Sequence, residues 1–119
     1  MKKILIADDE KNIRKILREV VEGLGCEATL AENGQEAFRA ATSNTFDLIL
    51  LDIMMPEWNG VDAIKSLDFI NKKPKVIVIS GYVSPELQGD LKSLENVAQY
   101  ISKPFQLGEV REAIRKHLG

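Results

Sequence analysis

Leu48-Ile49-Leu50-Leu51-Asp52-Ile53-Met54-Met55-Pro56 sets four consecutive apolar residues against one acid. A short apolar run bounded by turn signals reads as a strand buried on both faces. Pro56 and Gly60 mark the turn after it. Asp52 therefore stands where a buried strand, read over 47–52, gives way to a loop. A carboxylate in that position must be paired or bound to a metal, because an isolated buried charge is costly.

Other strands of the same kind lie on both sides. Ile4-Leu5-Ile6-Ala7 ends on Asp8 and Asp9, Val76-Ile77-Val78-Ile79 ends at Ser80-Gly81, and residues 97–101 end in Ser102-Lys103-Pro104. A weaker strand covers 27–31. Between them the apolar period changes from continuous to three and four. Ile13, Ile16, Leu17, Val20, Val21 and Leu24 form one helical stripe, with Gly25 as its C-cap. Asn33 caps a helix running to about Ser43, whose apolar face is Ala37, Phe38, Ala40 and Ala41. Val61, Ile64, Leu67 and Ile70 give a third helix, which Asn71-Lys72-Lys73-Pro74 breaks. Ser84 and Pro85 open a fourth as N-cap and first helical residue, with Leu87, Leu91 and Leu94 along it and Gly89 weakening it. Leu107, Val110, Ile114 and Leu118 line a fifth. His117, in its last turn, is expected to favour the negative end of the helix dipole.

Five strand–helix units in strict alternation predict an α/β fold: a doubly wound, five-stranded parallel sheet with five helices on its two faces, in a single domain over 1–119. The crossovers should be right-handed. Such folds bind ligands beyond the carboxyl ends of the strands, where the strand order reverses.

The bulk numbers fit. The chain has 119 residues, 45% of them hydrophobic, enough for one core. Sixteen basic and eighteen acidic residues give a net charge of -2, without the basic excess of a nucleic-acid surface. Cys26 is the only cysteine and reads as a small core residue. The apolar start is cut short by Asp8-Asp9-Glu10, so it is no signal peptide. No run approaches ~18 apolar residues, so no membrane span is predicted and a reducing cytoplasm is the expected location.

The polar residues closing the strands are Asp8 and Asp9, Asp52, Ser80 and Lys103, and parallel strands bring all these ends to one edge. If the first and third strands are neighbours, three acids meet. Their mutual repulsion calls for a cation, and a hard divalent ion such as Mg²⁺ takes few carboxylates plus waters and a phosphate. Asp52 can then act as a nucleophile and become an aspartyl phosphate. Lys103 would supply charge and Ser80 a hydroxyl to the phosphoryl oxygens.

The whole chain resembles the receiver domains of two-component response regulators. The resemblance rests on Asp8-Asp9 after strand one, Asp52 followed by Met55-Pro56 and Gly60, Ser80 after strand four, Tyr100, and Lys103-Pro104-Phe105. It implies a strand order 2-1-3-4-5 and a phosphoacceptor switch, not an enzyme acting on other molecules. Asp52 would receive phosphoryl from a histidine kinase or a phosphotransfer protein. Asp9, Asp52 and the Met54 carbonyl would bind Mg²⁺ directly, and Asp8 mainly through a bound water. Lys103 would pair with Asp52 or its phosphoryl group. Ser80 would move to bond the phosphoryl, and Tyr100 would swing inward as the readout. The Lys103-Pro104 bond would be cis. A downstream protein would bind the face made by the fourth helix, fifth strand and fifth helix, with no direct contact to nucleic acid or membrane.

Departures are few. Ser80 stands where Thr is commoner, Gly81 where Ala is usual, and Glu57-Trp58-Asn59 and Asn96-Val97-Ala98 depart from the common loop residues. None removes a chemical group. The resemblance further implies that the side chains two residues beyond Asp52 and Ser80 tune water access; here these are Met54 and Tyr82, both large and uncharged, which predicts slow autodephosphorylation. A hydrolase with an Asp nucleophile would want a second acid where Met54 stands. A nucleotide-phosphate binder of flavodoxin type would not place Asp8-Asp9-Glu10 in its first loop. A receiver that binds partners without taking phosphate is the remaining alternative. No effector module lies within these 119 residues; as a whole protein the chain would act by binding, as a stand-alone receiver does, and as one domain of a longer protein its output would lie elsewhere.

Overall fold

The computed structural model describes residues 1–55, 74–81 and 83–118. Its sheet is built from β1 (Lys3–Ala7), β2 (Glu27–Ala31), β3 (Leu48–Leu51), β4 (Lys75–Ser80) and β5 (Val97–Ser102). All neighbours are parallel and the order is β2-β1-β3-β4-β5. The described helices are α1 (Lys11–Gly23), α2 (Gly34–Ser43), α3 (Pro85–Lys92) and α4 (Leu107–Leu118). Here α3 and α4 are the fourth and fifth helices expected from the sequence. The helix expected from Val61 to Ile70 lies outside the described residues, as do the Pro56–Gly60 turn, Trp58 and Tyr82.

The strands are continuously apolar because both faces are covered. Along β1, Ile4 and Ile6 face α1 and α4, where Leu17, Val21, Val110 and Ile114 meet them. Leu5 and Ala7 face the other way, toward Ala37 and Ala41 of α2 and Leu91 of α3. In β3, Leu48 and Leu50 join the first layer and Ile49 and Leu51 the second. Burying one such side chain fully contributes about 1.5–3 kcal/mol.

Local chemistry sets the ends. Asn33 accepts from the Glu36 N–H at 2.9 Å, and Ser84 accepts from the Leu87 N–H at 3.2 Å. Each cap stabilises its helix by ~1 kcal/mol. After α1, Gly25 takes a φ of 80°, the left-handed conformation that ends a helix most cheaply in glycine.

Two expectations on single residues change. Phe38, expected on the apolar face of α2, is 41% exposed; Ala37 and Ala41 are buried in the core beneath that helix and Ala40 packs against it. Leu107 begins α4 too early to reach the core and is 45% exposed. His117 lies in the last turn of α4, as expected, and bonds Gln99 Oε1 at 3.0 Å; burial and the nearby Lys116 and Lys75 charges push its imidazole below its ordinary value.

Candidate functional site

Register brings the acids together. Ala7 pairs with Leu51 across β1 and β3, so the next residues, Asp8 and Asp52, stand side by side past the sheet edge. The backbone continues the ladder there: Asp52 N–H donates to Ala7 O at 2.9 Å and Asp8 N–H to Ala31 O at 3.1 Å. On the other flank Ser80 pairs with Ser102, and Lys103 N–H donates to Ser80 O at 2.7 Å. The Lys103-Pro104 bond is cis, as expected.

Asp52 is 5% exposed and both its oxygens are occupied. Oδ1 accepts from the Met54 N–H at 2.8 Å and from Ser80 Oγ at 3.0 Å. Oδ2 accepts from Lys103 Nζ at 3.0 Å. Ser80 is fully buried, so its hydroxyl has been aimed at Asp52 by the fold. Met54 lays its peptide against Asp52 and turns its side chain outward, 57% exposed. Tyr100 is half-buried and donates its hydroxyl to the Gly81 carbonyl at 2.7 Å, next to Ser80. Burial pushes its phenol up.

Asp8 is 1% exposed and bonds Lys103 Nζ at 2.8 Å. Its Oδ1 accepts from the Glu10 N–H at 2.9 Å. Burial pushes the Asp8 carboxyl above its ordinary value; Lys103 and the Glu10 N–H oppose this, and the Asp52 charge adds to it. For Lys103 burial acts downward, but the bonds to Asp8, Asp52 and Glu10 outweigh it and hold the ammonium above its ordinary value. Asp9 is exposed. The N-cap of α1 is Glu10, whose own side chain makes no capping hydrogen bond.

Asp8, Asp9 and Asp52 bring carboxylate oxygens within 4.8 Å of one another. The donors are all hard oxygens, and one of the three residues, Asp9, is open to solvent. This fits Mg²⁺, which keeps several waters and takes one or two carboxylates.

Two contributors were missed in the sequence. Glu10 Oε2 bonds Lys103 Nζ at 3.1 Å. Arg14 Nη1 donates to the Asp8 carbonyl at 2.8 Å and fixes the acid-bearing loop from α1. Glu10 could have been suspected from its place beside the acid pair at the sheet edge. Arg14 carries no such signal, because a cation beside an apolar stripe is ordinary on any helix.

The chain matches the family described as response regulator receiver domain over residues 4–115. It is 34% identical over 116 residues to sporulation initiation phosphotransferase F of Bacillus subtilis, covering 98% of this chain and 93% of that protein. A CheY-like receiver domain protein from Methanospirillum hungatei superposes with a TM-score of 0.92 at 27% identity, over 99% of this chain and 94% of the other. The response regulator TrrA of Thermotoga maritima, solved in complex with Mg(2+)-BeF, is 36% identical with a TM-score of 0.84, over 98% and 99%. Among the described residues no helix is long and apolar enough to cross a membrane.

Proposed function

The chain belongs to the response regulator receiver family and is, like its homologues, a phosphoacceptor of two-component signalling; on that premise we propose that Asp52 takes the phosphoryl group. The observation that carries this is the set of three donors on Asp52: Met54 N–H, Ser80 Oγ and Lys103 Nζ, all within 3.0 Å. An Asp52 oxygen attacks phosphorus on a donor phosphohistidine. The O–P bond forms as the P–N bond breaks, and the electron pair leaves on the imidazole nitrogen. Lys103 and Ser80 then transfer their hydrogen bonds from the carboxylate to the phosphoryl oxygens, where charge-assisted bonds are strong.

Receiver domains bind Mg²⁺ at an acidic cluster, and this chain has one. Asp9, Asp52 and the Met54 carbonyl would hold the ion directly, with Asp8 acting mainly through a bound water. When bound, Mg²⁺ neutralises phosphoryl charge and aligns the donor. That TrrA, 36% identical to this chain, was solved in complex with Mg(2+)-BeF supports a role for Mg²⁺ here by similarity.

Receiver domains are signalling switches, and the chemistry here is self-modification within one cytoplasmic domain spanning 1–119. The donor is a histidine kinase or phosphotransfer protein. Ser80 drawn toward the phosphoryl would pull on Gly81, to which Tyr100 is bonded. Tyr100 also lines a groove of about 210 Å³ with Gln88, Leu91 and Lys92, between α3 and β5. This supports a downstream protein docking on the α3–β5–α4 face. The predicted slow autodephosphorylation stands as a proposal for Met54 alone, since Tyr82 is outside the described residues.

Intact-protein mass after incubation with acetyl phosphate tests the reading, with and without Mg²⁺ and beside Asp52→Asn. The expected result is one phosphoryl group, gained only with Mg²⁺ and absent in the variant. A gain that persists in Asp52→Asn would overturn the assignment of the acceptor.

A further inference from the structure

Glu10 has no part in the chemistry above, yet it bonds the ammonium on which that chemistry depends. Lys103 Nζ has three protons and three carboxylate acceptors: Asp8 at 2.8 Å, Asp52 at 3.0 Å and Glu10 at 3.1 Å. Two of these acceptors belong to the carboxylate group that fits a metal, and Glu10 does not. The backbone of Glu10 is fixed on both sides. Its N–H is held by Asp8 Oδ1 at 2.9 Å, and its carbonyl accepts from the Arg14 N–H at 3.1 Å. Its side chain is 59% exposed, whereas that of Lys103 is 16% exposed. Both side chains line one open groove beside α1, with Ile13, Ile16 and Phe105. The ammonium therefore has a groove to move outward into and, on a held backbone, one carboxylate to move toward.

A divalent cation among Asp8, Asp9 and Asp52 competes with Lys103 for Asp8 and Asp52. An ammonium released to bulk water would be lost to the phosphoryl group; one retained by Glu10 would not. We propose that Glu10 is a positioning residue that takes over Lys103 as the metal loads. It thereby lowers the ammonium's opposition to the metal and keeps that charge at the mouth of the site. The proposal rests on the Mg²⁺ reading above. It differs from a simple field effect, because it needs the carboxylate to touch Lys103.

Calorimetric titration of MgCl₂ into the whole chain separates the two. It is run at roughly 0.3 M KCl, where screening shortens the reach of exposed charges to about 5–6 Å. Glu10→Gln is expected to weaken Mg²⁺ binding about three- to five-fold, the scale of a partly exposed ion pair. Glu10→Asp keeps the charge but falls short of Lys103 by a methylene, and should lose as much. In a Lys103→Met background, Glu10→Gln should change the affinity less than about two-fold, since contact pairs reveal themselves as non-additive. Melting curves check that each variant is folded. Unchanged affinity in Glu10→Gln, an equal loss in both backgrounds, or full affinity in Glu10→Asp would each overturn the proposal. Absence of Mg²⁺ binding by the unaltered chain would overturn the metal reading as well, and so marks that failure apart.

Discussion

Replacing Lys103 by Met removes the cation from a site that holds three carboxylates against it. Its ammonium lies 2.8 Å from Asp8 and 3.0 Å from Asp52, whose side chains are 2% and 6% exposed. Removing one partner of a buried pair costs about 3–5 kcal/mol, because the other charge is left uncompensated. Two features reduce that here. Lys103 is itself 16% exposed, and both acids keep other donors, Asp52 the Met54 N–H and the Ser80 hydroxyl and Asp8 the Glu10 N–H. The contact to Glu10, 59% exposed, contributes little more than the ~0–1 kcal/mol of a surface pair. The net loss for the metal-free protein at neutral pH is about 2–3 kcal/mol, or roughly 8–12 °C in Tm for a domain of this size. The same substitution removes the competitor of Mg²⁺. If about 2 kcal/mol of that coupling is returned on metal binding, the affinity for Mg²⁺ rises about 30-fold. Thermal melts with and without saturating MgCl₂, together with calorimetric titration, measure both quantities. The reasoning is refuted if the metal-free melt is unchanged, or if the loss is not recovered by Mg²⁺ and the affinity does not rise.

Asp8→Asn should raise the Tm of the metal-free protein at neutral pH, since burial holds this carboxyl above its ordinary value and its ionised form therefore costs the fold stability. By the same sign, metal-free stability of the unaltered chain rises as pH falls through the raised Asp8 value toward 3.8, and the variant should lose that rise in urea titrations at successive pH values. Ser80→Ala leaves one lobe of Asp52 Oδ1 without its hydroxyl donor; phosphorylation by acetyl phosphate should slow by about 100-fold, read as initial rates by mass, with little change in Mg²⁺ affinity. Leu50→Ala, at 1% exposure in the central part of the sheet, should cost about 3–4 kcal/mol in denaturant unfolding while leaving the site's ion pairs in place.

Most of the fold was legible because strands and helices differ in apolar period, and that period is local. Ile4 to Ala7, Leu48 to Leu51 and Val76 to Ile79 are apolar at every position, which only a sheet covered on both faces requires. The caps at Asn33, Ser84 and Gly25 were legible for the same reason: each acts within a few residues of itself. The ends of the strands were also legible, and so the candidate residues Asp8, Asp9, Asp52, Ser80 and Lys103 could be named. Where a side chain at an element's margin turns was not. Phe38 and Leu107 are apolar at helical spacing, yet both are exposed, because orientation at the edge of a stripe depends on how closely the helix packs.

The sequence by itself determined which groups lie at the carboxyl edge and what chemistry they bring. Only the tertiary structure decided how they are joined. Lys103 is 51 positions from Asp52 and 93 from Glu10, separations over which no periodicity carries information. Their meeting follows from β1 lying between β2 and β3, with β4 next and β5 at the edge. Three acceptors compete for one ammonium at nearly equal distance. That sharing is a property of a few tenths of an ångström in space, fixed by sheet register and by the start of α1, and residue types along the chain do not encode it.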